Sequence, residues 1–292
     1  MIVYVSGATG FVGGHVAREL REAGAEVRDE RIDLLDRAGL ERAVEGCDAV
    51  VHVAALYSYD APAADFERVN VEGTRTLLAA AAKHVRRFLF TSTAGTCGPV
   101  SGRMATERDE PPAWELTVPY KRTKLEAERL ALAAGAVIVN PTTPIGDGDA
   151  KPTPTGQMIE GVATGRIRAY VGTTGLNLVD VRDVARGHVL ALERGEPVER
   201  YLLGGVNLPL ADIFAAVADH AARPRPRLRV PYSVAEAAAK AGFANADEVK
   251  LARIPMYFSW EKAAARLGYE PGPVEPALAR ATAEALKRRG GA

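Results

Sequence analysis

Tyr120 and Lys124 stand four residues apart in the run Pro119-Tyr120-Lys121-Arg122-Thr123-Lys124. If the run is helical, the two side chains share one face. A phenol titrates near pH ~10 and is a poor acid–base group at neutral pH. An ammonium beside it stabilises the phenolate and brings the pKa toward the working range. Tyr-x-x-x-Lys is common by chance, and its plain alternative is a surface pair. Two features raise it: it opens a helix after Pro119, and it follows a nucleotide-binding pattern in chain order. Thr93 supplies a third group. Its hydroxyl, at the end of an apolar strand, can hold a carbonyl or hydroxyl oxygen beside Tyr120; a strand-end cap is the plain alternative.

The nucleotide-binding pattern is Val5-Ser6-Gly7-Ala8-Thr9-Gly10-Phe11-Val12-Gly13-Gly14. It joins an apolar run, 2–5, to a helix-like run, 11–23. Gly7 permits the tight turn, Gly10 lets a pyrophosphate approach the backbone, and Gly13 lets helix and strand pack closely. The helix N-terminus then offers free N–H groups and a positive dipole end. Thr9, Phe11 and Val12 lie in the same turn. With a nicotinamide dinucleotide bound there, the trio reads as machinery for moving a hydride at a carbinol or carbonyl carbon.

The elements that must hold these groups alternate. Strands are expected at 2–6, 25–29, 48–53, 86–92 and 136–141, and helices at 11–23, 36–45, 65–83 and 119–134. This implies an α/β, Rossmann-type doubly wound parallel sheet. Ligands bind beyond the carboxyl ends of such strands, where Thr91, Ser92 and Thr93 fall. The link between the second strand and Ile32-Asp33-Leu34 is too short for a parallel crossover, which needs about a dozen residues. The sheet is therefore expected to be shortened at its third strand, with about six main strands. Residues 1–142 read as the dinucleotide-binding domain. Residues 143–292 read as a small mixed substrate lobe with sheet-completing elements, its helices near 157–165, 182–194, 209–221, 233–241 and 274–288. Short strands are expected near 168–171, 177–180 and 199–203.

Composition narrows the partners. Lys plus Arg and Asp plus Glu each number 37, so no net charge drives capture of nucleic acid or anionic membrane. Arg223-Pro-Arg-Pro-Arg-Leu-Arg229 reads as an extended, solvated connector. No apolar run is long enough to span a bilayer. The chain opens directly on a strand, and its two cysteines, Cys47 and Cys97, suit reduced thiols in a cytoplasm. The five histidines show no metal-ligand spacing, so no metal site is expected.

The glycine turn, Thr91-Ser-Thr-Ala-Gly-Thr96 and Tyr120-Lys-Arg-Thr-Lys124 together resemble the extended short-chain dehydrogenases/reductases, the NAD-dependent epimerase/dehydratase family. The likeness covers nearly the whole chain. It implies Thr93, Tyr120 and Lys124 as the catalytic trio and Asp33-Leu34 as the pair contacting adenine. It also implies Ala54 and Ala55, after a structural His52, as the strand end beside the cofactor. Asn70-Val-Glu-Gly-Thr74 matches a helix motif that steadies the site. Pro141, Thr142 and Thr143 match the segment beside the nicotinamide carboxamide. Asn140-Pro-Thr-Thr-Pro-Ile-Gly146, Lys151-Pro-Thr-Pro-Thr-Gly156, Gly175-Leu-Asn-Leu-Val-Asp-Val181 and Ala54-Ala-Leu-Tyr-Ser58 are similar to the hopanoid-associated sugar epimerase group. That group in turn is similar to dihydroflavonol 4-reductases. The short link before Asp33 departs from it and looks more like reductases of the GDP-fucose synthase type.

The reaction expected is an NAD(P)-dependent oxidation–reduction or epimerisation of a sugar or sugar nucleotide; a dihydroflavonol-reductase-like, NADPH-dependent reduction of a ketone or aldehyde is the alternative. A non-catalytic NAD(P) sensor is the rival from another class; it has no need to keep the trio together. Counting from Gly24, Arg31 falls where the family selects a 2′-phosphate, so NADP(H) is favoured slightly over NAD(H). Tyr57, Ala94, Gly95, Trp114 and Asn177 are candidates for lining the substrate, with ordinary packing as the alternative. Helices 65–83 and 119–134 carry apolar residues beyond one core-facing stripe. A homodimer through them is expected, as the family's members often form.

Overall fold

The computed structural model describes residues 1–57 and 61–290. Ser58, quoted above, lies outside the described residues. The first half runs β1 (Ile2–Ser6), α1 (Phe11–Glu22), β2 (Glu26–Arg28), α2 (Arg37–Val44), β3 (Ala49–His52), α3 (Ala63–Phe66), a π-helical segment (Glu67–Glu72), α4 (Gly73–Ala81), β4 (Arg87–Thr91), α5 (Pro119–Ala133) and β5 (Val137–Pro141). The second half runs β6 (Thr143–Ile145), α6 (Pro154–Ala163), β7 (Ala169–Val171), β8 (Gly175–Asp180), α7 (Val181–Arg194), β9 (Arg200–Leu203), β10 (Val206–Pro209), α8 (Leu210–His220), β11 (Leu228–Val230), α9 (Tyr232–Lys240), α10 (Ala246–Leu251), α11 (Glu261–Leu267) and α12 (Glu275–Gly290).

Six strands form the large sheet in the order β2-β1-β3-β4-β5-β9, each neighbouring pair parallel. Among the described residues nothing pairs outside β2, as the short link before Asp33 requires. The alternation of side chains along each strand builds two cores. Val3, Val5, Val51, Leu89 and Val139 face α1 and α7; Tyr4, Val50, Phe90 and Ile138 face α2, α4 and α5. β9 comes from beyond residue 143 and closes the large sheet, so the C-terminal half is stitched into the first.

That half builds a small sheet of its own, β10-β8-β6, with α6, α8 and α12 packed around Leu178, Ile145, Phe214 and Leu278. β6, β10 and β11 are strands the sequence pattern did not mark, and α10 and α11 are helices it did not mark. Each is short, so a hydrophobic period has no room to repeat. The helix expected at 65–83 spans 63–81 and is π-wound over Glu67–Glu72, a winding often found at functional sites.

Candidate active site

The glycine turn stands at the carboxyl end of β1. Gly7 has a φ of 78°, left-handed and natural only for glycine. A Cβ on Gly7 would lie 2.6 Å from the Ala54 amide nitrogen, so the turn and the end of β3 meet backbone to backbone. A Cβ on Gly13 would lie 2.7 Å from the Gly7 carbonyl carbon and closer still to its oxygen, so α1 rests directly on the turn. Gly10 caps α1 without a side-chain hydrogen bond, and its own missing Cβ faces only the Gly7 oxygen, at 3.2 Å. The first amides of α1 therefore open into space that a side chain would fill. This is the cradle a dinucleotide pyrophosphate needs, and the residues fit that group. Thr9 is exposed there, Phe11 meets the His15 ring edge-on at 5.9 Å, and Val12 packs against the core.

The trio gathers beyond β4. Pro119 sits in the first turn of α5, where its missing N–H costs nothing, and this fixes where the Tyr120 helix begins. Tyr120 stands beside the Thr93 side chain, and the Tyr57 ring lies 4.5 Å from the Tyr120 ring. Lys124 is buried one turn along; its Nζ donates to the Thr91 carbonyl oxygen at 2.8 Å and lies 4.3 Å from the centre of the Phe90 ring. Burial brings the Lys124 ammonium down to about 7, with Glu128 opposing. Tyr120 is pushed up, by burial first and Tyr57 next, against the Thr93 hydrogen bond. The expected lowering of Tyr120 by Lys124 is thus not what this geometry gives, because the ammonium is turned onto a carbonyl and an aromatic face.

The surrounding residues explain the trio's rigidity. Asn70, buried on the π-helical segment, accepts from Leu56 N at 2.7 Å and donates to Leu56 O and Thr123 Oγ1, each at 3.2 Å. It ties the loop after β3 to the Tyr120 helix. His52 joins Ser6 Oγ at 2.6 Å and Thr74 Oγ1 at 3.0 Å; wholly buried, it is pushed down to about 3, by burial first and Lys124 next. It is a neutral structural group, as expected.

Other expected residues fall differently. Thr91 aims its hydroxyl at His188 Nε2, 2.9 Å away, so only its carbonyl serves the site. Ser92 is buried 3.5 Å from Thr96 Oγ1. Asn177 is wholly buried. Its oxygen accepts from Thr142 Oγ1 and Gly205 N, each at 2.8 Å, and its amide donates to Asn207 and Phe258 O. Every hydrogen-bonding group of Asn177 is thus occupied, and it braces Thr142 rather than facing a ligand. Ala94 and Gly95 are buried too. The Lys121 stem crosses the face of Gly95 and pairs with buried Glu115 at 3.2 Å. Tyr57 and Trp114 are the substrate candidates that keep open surface, and Arg253 lies over the Trp114 ring at 5.5 Å. Pro141 is buried at the end of β5; Thr142 and Thr143 are half-buried beside it.

Beyond β2, a cavity of about 360 Å³ is lined by Glu30, Arg31, Ile32, Asp33, Asp36, Gly39, Arg42 and Ala43. Leu34 is buried against Gly73, whereas Asp33 is exposed and accepts from Leu35 N at 3.0 Å. Arg42, one turn into α2, was not singled out by sequence reasoning, since nothing in its neighbours brings it to Arg31; α2 folding back along β2 does. Ala54 and Ala55 border the turn, Ala54 half-buried and Ala55 exposed.

A parallel sheet with a glycine-lined helix N-terminus at the end of β1 and a Thr–Tyr–Lys cluster beyond β4 defines a nicotinamide-dependent enzyme of the short-chain type. The model of the NAD dependent epimerase/dehydratase family matches residues 3–204, and the chain belongs to that family. A protein of Synechocystis sp. described as "Putative dihydroflavonol 4-reductase" is 36% identical over 318 aligned positions, covering 95% of this chain and 92% of the relative. Sterol demethylase protein B of Methylococcus capsulatus is 32% identical, covering 79% of this chain and 78% of the relative. Among solved structures, a nucleoside-diphosphate-sugar epimerase from Pseudomonas aeruginosa is 26% identical with a TM-score of 0.84, covering 99% and 98% of the two chains.

Proposed function

We propose that this enzyme reduces an apolar ketone or aldehyde with NADPH, or runs the same exchange in reverse. The observation that carries the reading is Tyr120 beside Thr93 with Lys124 one helical turn away, beyond β4 at the same carboxyl end of the sheet as the open glycine turn. Bound NADPH supplies the hydride to the carbonyl carbon. Thr93 holds the carbonyl oxygen. Tyr120 gives that oxygen its proton as the C=O bond becomes C–H and O–H. Lys124, when its Nζ leaves the Thr91 carbonyl, sets its charge against the phenolate that remains.

The substrate class follows from what surrounds Tyr120. The Tyr57 ring lies against it, and Trp114 lies at the head of the same helix. Of the arginines of the second half, Arg182 and Arg280 are bound to Asp147, Arg288 to Glu284, Arg186 to Asp183 and Arg225 to Asp219, whereas Arg253 stacks on the Trp114 ring. The two relatives at 36% and 32% identity carry names from flavonoid and sterol chemistry, which supports the same choice over a sugar nucleotide. For the cofactor, Arg31 and Arg42 both line the cavity beyond β2, and neither is ion-paired among the described residues, which favours a 2′-phosphate. Residues 1–142 would hold the cofactor and 143–292 most of the substrate. The homodimer through α4 and α5 has modest apolar support: Leu77, Ala80 and Ala81 go into the core and Leu78 packs half-buried beside it, leaving Ala79 and Ala82 outermost. The oxidation of NADPH is followed over a panel of aryl ketones, sterol ketones and sugar nucleotides. Turnover of sugar nucleotides alone, or of nothing, overturns the reading.

A further inference from the structure

Behind the trio lies a buried polar cluster that the reaction itself does not use. Glu128 stands four residues after Lys124 on α5 and is 1% exposed. Its Oε2 accepts from Thr96 Oγ1 at 2.6 Å and from Asn140 Nδ2 at 2.9 Å; its Oε1 lies 3.1 Å from Arg200 Nε. Asn140 Nδ2 also reaches Thr96 Oγ1 at 3.0 Å and the Thr93 carbonyl oxygen at 3.2 Å. Thr96 Oγ1 is 2.8 Å from that same carbonyl. A hydroxyl has one proton, and the shorter contact assigns it to the carboxylate. Arg200 closes the cluster from β9, donating to Thr96 O at 2.9 Å and to Cys97 Sγ at 2.6 Å. Three elements, α5, β5 and β9, thus converge on the short turn that starts at Thr93.

We propose that Glu128 is the positioning residue of this enzyme, holding the Thr93 turn in register with the Tyr120–Lys124 helix. It acts through other residues and does not meet substrate. The mechanical part is direct: the carboxylate belongs to the helix that carries Tyr120 and Lys124, it accepts from Thr96 at the far end of the turn, and through Asn140 it reaches the Thr93 carbonyl. The distance between the two hydroxyls that meet the substrate oxygen is then set by one buried acid. Displacements of about 1 Å at such a pair cost roughly 100-fold in rate. The electrostatic part has a definite sign. Burial opposes the ammonium form of Lys124, and Glu128 favours it. The groups facing Lys124 are Tyr120 and Glu128 on its own helix, His52 from β3 and, past Glu128, Arg200 from β9. His52 stays neutral and Arg200 is a like charge, so Glu128 is the negative group that keeps Lys124 protonated. Its role rests on the trio's assignment above.

Two variants test the proposal, because Glu128→Gln leaves the half-buried Arg200 without its acid, a change that can unfold a chain. Thr96→Val removes the link to the turn but leaves the Glu128–Arg200 pair intact. In protein without added cofactor, amide hydrogen exchange at Thr96 and Cys97 should quicken roughly tenfold in either variant, the worth of about one hydrogen bond. NMR of isotope-labelled lysine, with Lys124 assigned by Lys124→Met, should show the Lys124 titration moving to lower pH in Glu128→Gln and staying put in Thr96→Val. With a ketone that the wild type reduces, kcat should fall by roughly 10- to 100-fold at little change in KM. In Glu128→Gln the alkaline limb of the pH profile should also move to lower pH, as Lys124 loses its proton earlier. Glu128→Asp should restore part of the titration but not the turn's protection. Unchanged exchange at Thr96 and Cys97 in Thr96→Val overturns the mechanical half. An unmoved Lys124 titration in a folded Glu128→Gln protein, or in Glu128→Gln/Arg200→Gln should the single variant unfold, overturns the electrostatic half. If no ketone is turned over by the wild type, the proposed reaction fails, while the exchange and titration results still decide the role of Glu128.

Discussion

Adding one methyl group to the glycine turn separates what holds the fold from what holds the cofactor. A Cβ at position 13 would lie 2.7 Å from the Gly7 carbonyl carbon and 3.1 Å from Ala8 N. Carbon contacts are optimal at ~3.5–4.0 Å, so α1 must back away from the turn by roughly 1 Å. Overpacking of this kind costs about 1–3 kcal/mol, and replacing a helical glycine by alanine returns about 1 kcal/mol. Gly13→Ala should therefore lose up to about 2 kcal/mol, or roughly 2–6 °C in Tm. Position 10 is different. Its φ of −86° and ψ of 171° suit alanine, and the new methyl would meet only the Gly7 oxygen, at 3.2 Å. Gly10→Ala should leave Tm nearly unchanged, because it also reduces the freedom of the unfolded chain. Its methyl would stand beside the first amides of α1, the donors a pyrophosphate must reach. Losing one charge-assisted hydrogen bond of about 1.5–3 kcal/mol weakens NADPH binding by roughly 10- to 100-fold. Thermal scans paired with titration of NADPH fluorescence read both quantities. Binding within about twofold of wild type in Gly10→Ala would refute the cradle, and so would a loss of stability equal to that of Gly13→Ala.

Other outcomes follow from the same geometry. Tyr120→Phe keeps the ring against Tyr57 but removes the proton, so turnover should fall at least ~100-fold with NADPH binding nearly intact; activity within a few-fold of wild type takes Tyr120 out of the mechanism. Arg31→Ala and Arg42→Ala should each weaken NADPH selectively over NADH in paired titrations, and equal weakening of both would reverse the cofactor preference. His52 and His188 are neutral in the fold, pushed down by burial from 6.5 to about 3 and about 4. The unfolded chain takes up those protons as pH falls through 6.5 while the folded one does not, so stability is full above that pH and drains away below it. Urea midpoints at about pH 7.5 and about pH 5.5 should differ accordingly, and equal midpoints would contradict it. Light scattering at micromolar concentration should give twice the subunit mass; a fully active single-subunit species would dispose of the homodimer.

The glycine turn and the Tyr120–Lys124 spacing were legible because each acts within one strand-turn or one helical turn, where sequence spacing is distance. The shortened sheet was legible for the same reason: too few residues lie between β2 and Asp33 for a crossover. Asn177 misled because an asparagine at a strand near the site looks like a ligand-binding group. Only the folded chain shows that Thr142, Gly205, Asn207 and Phe258 use up its amide. The Glu128 cluster was hidden because α5, β5, β9 and the turn after β4 each contribute one ordinary polar residue. The one local hint is that Glu128 follows Lys124 by four residues and, unlike Glu126 and Arg129, lies on the inner face. The direction of Tyr120's shift was also beyond the sequence, since it depends on where the Lys124 amine points.

The bare outer edge of β2 has a kinetic consequence. Arg31, Asp33, Asp36 and Arg42 border the cavity there and are all exposed. A guest gripped from one flank departs readily. For a catalyst that oxidises and then re-reduces a single centre, early departure strands a half-finished intermediate. For one that consumes a reducing equivalent in each cycle, departure is an obligatory step, and its rate caps throughput. We expect the truncated edge to make the dinucleotide a passing co-substrate rather than a resident. Protein purified with a full complement of tightly held dinucleotide would contradict this.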